Sequence, residues 1–180
     1  MDWTEEVQQK IKRKNQILFS KDSAFLQDLI LLIQQHNHRT LALWAFDLAD
    51  ETIKKLQDRH PGEERPAMAL QAARLWAFGK IKMPVAQRKI LDCHAAAKEM
   101  ESMEDAALFH AVGQACSVVH TRGHAIGFPI YDLTSLIYRY GIEDGKAYVE
   151  KRKQEYWDKM MLWLARQDEY SGMWADFMLK

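Results

Sequence analysis

Four histidines, His94, His110, His120 and His124, are the residues whose type and spacing come nearest to doing chemistry. His120 and His124 stand four apart, the separation that stacks two ligands on one helix face, so a metal centre is the first chemistry to weigh. Arg122 and Gly123 lie between them and read as a helix break, and the chain has neither His-Glu-x-x-His nor Glu-x-x-His. No carboxylate falls at a ligand spacing. The expectation is therefore no metal and no cofactor, with these four histidines as the only candidate ligands. Thiol chemistry is the second possibility, because Cys93 adjoins His94 and Cys116 precedes His120 by four residues. A catalytic thiol needs an exposed, electropositive setting and an orienting group, whereas both cysteines sit among small and apolar residues. They read as reduced, buried thiols. Glycine-rich phosphate loops are missing too, which removes nucleotide-dependent reactions. No residue earns a catalytic assignment.

A different arrangement of the same residues is more informative. On helical spacing His110, Gly113, Gln114, Ser117, His120 and Thr121 share one face, opposite Leu108, Val112 and Val119. This stripe is polar yet almost uncharged, and His94 precedes it on a neighbouring helix. Two readings stay open: a hydrogen-bonded network between helices, or the wall of a small cleft.

The elements that must position these side chains are helical throughout. Periodicity predicts helices over 4–19 with Thr4 as cap, from Asp22 to about Gln34, and from a Thr40 cap to about 59. Further helices follow from Pro66 to a Gly79 cap, from Pro84 to about 101, from about 104 to 120, and from about 124 to 140. Gly141 ends that one, and a last helix spans about 144–167 before a short aromatic tail. The sequence carries no strand alternation and no hairpin turn. Alanines at 69, 72, 73, 77, 95–97, 106, 107, 111 and 115 leave little bulk between helix axes. The expected fold is all-α: a compact multi-helix bundle of about seven to eight helices with hairpin-like antiparallel pairs.

With 180 residues, 48% of them hydrophobic, the chain suits one helical domain over 1–180. Twenty-five basic residues balance twenty-five acidic ones, so no overall field draws it to nucleic acid or an anionic membrane. The longest apolar run, at 29–33, is too short to span a bilayer, and the acidic start lacks a secretory signal. The expected location is the cytoplasm. Lys10, Lys12, Arg13 and Lys14 read as a solvated face, and Glu99, Glu101, Glu104 and Asp105 as charges at helix ends.

The helix Ala-Ala-Arg-x-Trp-Ala-x-Gly ending at Gly79, the Ile-Lys segment after it, the His94-Ala-Ala-Ala helix and the His110, His120, His124 pattern together resemble bacterial immunity proteins of the immunity protein five-like family. The resemblance covers about 38–138 as a core and leaves the N-terminal helices of 1–37 and the C-terminal helix and tail of 141–180 outside it. It implies a cytoplasmic helical protein that neutralises a bacterial toxin, as in polymorphic toxin systems, by protein binding. Arg74, Trp76, Lys82, His94, His110, His120 and His124 are the signature it marks, to which the stripe adds Gln114 and Ser117. The alternative is a small-ligand-binding or metal-binding helical protein, or an enzyme, using a His-lined cleft.

Overall fold

Small residues decide how closely the central helices approach, and they are concentrated where the sequence is richest in alanine. A computed structural model describes residues 2–180, and among these it forms seven α-helices and no strand. They are α1 (Trp3–Lys12), α2 (Gln27–Gln35), α3 (His38–Arg59), α4 (Arg65–Ala77), α5 (Met83–Ala97), α6 (Met103–Ser117) and α7 (Gly127–Ala165). Short 3-10 turns lead into α2 and α7 and close the tail. The all-α expectation holds. No helix among the described residues is long and apolar enough to cross a membrane.

Helix α6 lies at the centre and packs on α3, α4, α5 and α7. Ala107, Ala111, Gly113 and Ala115 of α6 are buried, as are Ala69, Ala73 and Ala77 of α4 and Ala86, Ala96 and Ala97 of α5. Without large side chains at these positions the backbones approach closely, which is how one helix can be covered on nearly every side. Phe109 and Val112 project from α6 into the surrounding core together with Trp44 and Leu48 of α3.

Several helix ends differ from the spacing-based expectation. The first helix stops at Lys12, because Lys14 adopts a left-handed φ of 59° and the amides of Lys14 and Asn15 turn back to the carbonyls of Ile11 and Lys10. Residues 13–19 are not helical; they carry Leu18 and Phe19 into the core, and the Leu18 amide donates to Thr134 Oγ1 at 3.1 Å. Asp2, not Thr4, is the cap residue of α1, and Thr4 donates its hydroxyl to Asp2. Asn37 caps α3 by accepting from the Thr40 amide at 2.9 Å, so Thr40 lies inside the helix. Gly79, at φ 68°, ends α4 as expected, with the Lys80 amide reaching the Leu75 carbonyl.

Helix α7 is interrupted at Gly141, whose φ of 74° and ψ of −176° break the ladder where the sequence placed a helix end. The segment beyond this break is held to the core by one buried ionic cluster. Arg152 Nε and the Tyr156 hydroxyl both donate to Asp132 Oδ2 at 2.7 Å, while Arg152 Nη1 reaches Glu155 and, on α3, Glu51. Lys159 adds ion pairs to Asp47 and Glu51, and Trp44 Nε1 donates to the Tyr156 carbonyl. Removing one partner of such a cluster leaves the others buried and uncompensated. Asp132→Ala should therefore lower unfolding stability by roughly 3–5 kcal/mol in urea denaturation. A loss below about 1 kcal/mol would mean that solvent already screens this cluster.

Candidate functional site

Past its first turn, α6 leaves only Ala106, His110, Gln114 and Ser117 short of full burial. Their spacing of four, four and three puts them in one strip along the helix. That strip is the floor of a groove. One wall comes from α5, and the other from the Arg122–Ile126 turn and from Tyr131 and Tyr138 of α7.

Two hollows lie along this floor. The first, about 250 Å³, is lined by His94, Gln114, Ser117, His120, His124 and Trp76, with Met83, Ile90 and Leu91 as its apolar wall. The second, about 330 Å³, takes in His110, Ala106, Met103 and Lys98 together with Tyr131 and Tyr138. Between them stands a pair of imidazoles, with His94 Nδ1 2.8 Å from His110 Nδ1. One ring donates this proton and the other accepts it, so the two neutral rings hold opposite tautomers. Gly113 makes the pair possible: a Cβ there would lie 2.5 Å from the His94 ring. Gly127 plays the same part beneath the Gln114 side chain.

The remaining polar groups are also fixed. His124 Nδ1 lies 3.0 Å from Gln114 Oε1, which makes Nδ1 the protonated nitrogen of that ring and leaves Nε2 as an acceptor. Ser117 donates to the Gly113 carbonyl at 2.8 Å. His120 lies past the end of α6 and stacks on Trp76 at 6.1 Å, and Phe177 from the tail meets the same indole at 5.7 Å. His110 rests on the Tyr131 ring at 5.1 Å. Both open readings of the polar stripe thus have a counterpart in the structure: His110 and Gln114 bond across to His94 and His124, and His110, Gln114, Ser117 and His120 line hollows.

Two signature residues lie elsewhere. Arg74 turns to α3, pairing with Asp50 and covering the Phe46 ring, because its position on α4 faces α3 and not α5. Lys82 is exposed at the N-cap of α5 and lines neither hollow. His110 lies across the imidazole pair from the other three histidines. Among the described residues, no group of three or more His, Cys, Asp or Glu side chains is placed to hold a metal ion. Cys93 donates to the Phe109 carbonyl and burial pushes its thiol up to about 12; Cys116 is buried, and burial raises its thiol well above the ordinary range. The acidic residues near the α5–α6 link are largely engaged within the chain: Glu99 with Arg65, Glu104 with Arg59, and Asp105 with Arg59 and His60. Lys98, Met103 and Tyr131 were not singled out in the sequence. The row Gln87, Leu91, His94, Lys98 on α5, at helical spacing, is the signal that reaches one of them.

Burial holds His94 at about 4, below its ordinary 6.5, and the charges that His110 and His124 would carry add to the effect. Burial lowers His110 and His124 too, with Lys98 contributing at His110 and His120 at His124. A histidine depressed in the folded state is protonated first in the unfolded chain. Its contribution is therefore complete above about pH 6.5 and is lost as pH falls toward 4. Unfolding free energy should drop over that window, His94 alone accounting for on the order of 1–3 kcal/mol. His94→Gln should flatten the profile; a wild-type profile with no slope between pH 6.5 and 4 would contradict the burial of this pair.

A family model described as Imm-5 like putative immunity protein matches residues 31–160. It extends beyond the 38–138 resemblance at both ends and takes in every residue of the two hollows except Gln16 and Ile17. No curated protein matches the chain, and no solved structure does. With well over half of its length matched, the chain belongs to the Imm-5 like putative immunity protein family.

Proposed function

We propose that this protein neutralises a bacterial toxin by binding it, and that the groove along α6 is where the toxin docks. The observation that carries the reading is the character of the groove's edge. Met83 is 41% exposed, Leu91 59% and Met103 41%, so apolar side chains stand in solvent beside the hollows instead of filling them. Exposed apolar surface rimmed by polar groups is what a protein interface presents, with hollows that receive anchor side chains. The hollow at His124 fits this use by size. A cavity of about 150 Å³ already takes a benzene ring, whereas pockets for drug-sized ligands begin near about 300 Å³. At about 250 Å³ it suits one aromatic or aliphatic anchor. Neutral imidazoles and an amide on its floor supply hydrogen bonds without a charge that must be desolvated.

A second reading rests on the convergence of His94, Gln114, His120 and His124 on that hollow, which suits a small polar ligand. A thermal-shift screen of small metabolites separates the two, because a ligand held there raises the melting temperature in the absence of any protein.

Co-expression is the direct test of toxin neutralisation. A strain carrying the toxin gene that neighbours this one should survive when the chain is produced. Leu91→Asp, which places a charge on the exposed rim without touching the core, should abolish survival while leaving thermal unfolding within about 0.5 kcal/mol of wild type. Death in the presence of the wild-type chain would overturn the proposal.

A further inference from the structure

We infer that the groove recognises an acidic segment of its partner carrying two apolar anchors, one for each hollow; this rests on the protein-docking reading above. The two-socket character follows from α6. Its strip places Ala106 and His110 beneath one hollow and Gln114 and Ser117 beneath the other, with the His94 and His110 rings as the partition. Between Ala106 and Ser117 the helix rises about 16 Å, so the sockets are separate sites for separate side chains. The second hollow also offers apolar wall, from Met103, Ala106 and the Tyr131 and Tyr138 rings, although its lining is more polar than that of the first.

Charge supplies the other half. Along the α5 wall, between Lys80 and Lys98, five cations stand against one carboxylate, Asp92; in the link that follows, Glu99, Glu104 and Asp105 are paired with Arg65 and Arg59, and Glu101 is exposed outside the ion pairs. Lys80, Lys82, Arg88 and Lys98 are exposed and none forms an ion pair. Arg59, Arg65, Arg74, Arg152 and Lys159 pair with carboxylates elsewhere in the fold, while Lys12, Arg13, Lys14, Lys21, Lys54 and Lys55 form other exposed basic positions away from the groove. Lys82 precedes Met83 at the mouth of the first hollow, Arg88 lies one turn from Leu91, and Lys98 lines the second hollow. The free positive charge of this region therefore follows the groove. Rim charges of one sign speed and orient the docking of a segment of the other sign. Sockets with apolar wall beside them suit protein anchors better than nucleic acid, whose interfaces are more polar and far more positively charged.

Selection from a phage-displayed library of random 16-residue peptides, on the intact wild-type chain, tests the inference. Enriched peptides should be rich in Asp and Glu, carry two large apolar residues, and bind more weakly as salt rises. Their affinity should fall about tenfold or more for Lys82→Glu combined with Arg88→Glu, and by a similar factor for Leu91→Asp. These positions are exposed and outside every ion pair, so unchanged thermal unfolding is the control. The inference is overturned by no enrichment, by basic or charge-neutral sequences, by binding that ignores these substitutions, or by tighter binding of a fluorescein-labelled single-stranded 20-mer. Co-expression separates the two levels. If the charge-reversed variant still protects a strain that the wild type protects, acidic recognition fails and toxin binding stands.

Discussion

The close approach of α4, α5 and α6 is the constraint on which the rest depends. It exists because alanine and glycine occupy many of the buried positions of these three helices, so that α6 is enclosed over most of its circumference. A larger side chain at Ala111 or Ala115 would have no space to occupy, and overpacking of this kind typically costs about 1–3 kcal/mol. Enclosure also dictates where the helix can meet solvent. The strip from Ala106 to Ser117 is what remains uncovered after α3, α4, α5 and α7 have packed on it. The groove is thus a consequence of core packing.

Within that groove, two polar pairs are satisfied by each other, and Ser117 bonds the backbone of its own helix. His94 rests over Gly113 and bonds His110, and Gln114 rests over Gly127 and bonds His124. Each glycine supplies room for one ring or amide, and each pair closes before any partner arrives. The result is a floor that is rigid, neutral and still able to accept through the free nitrogen of His124. Stiffness is reinforced from outside by the tail, whose Ala175 amide bonds the Ala77 carbonyl and whose Phe177 backs Trp76.

Much of this could be read from the sequence. Eight helical segments, the last two of which the structure joins across Gly141 into α7, the Gly79 cap and the polar stripe of α6 follow from periodicity and from glycine placement. Of the stripe His110, Gly113, Gln114, Ser117, His120 and Thr121, the side chains of Gln114, Ser117 and His120 line one hollow together with His94 and His124, whereas His110 lines the other. What was missed has physical causes. Residues 13–19 are apolar enough to prolong a helical pattern, yet Leu18 and Phe19 are needed in a core that only an extended segment reaches. Arg74 stands in the same motif as Trp76, but two residues along a helix turn a side chain by about 200°, and it faces Asp50 on α3. The split of the four histidines across two hollows depends on the α5–α6 register, which short-range spacing does not encode.

Membership of an immunity protein family points to a protein partner, and the proposed function places its docking in the groove. The most direct measurement is hydrogen exchange of the chain, free and bound to a toxin against which it protects in co-expression. Docking in the groove should slow exchange in α5, in the Arg122–Ile126 turn and around Tyr131 to Tyr138, the walls of the groove. Slowing confined to α1, α2 or the far end of α7, with these walls unchanged, would contradict it.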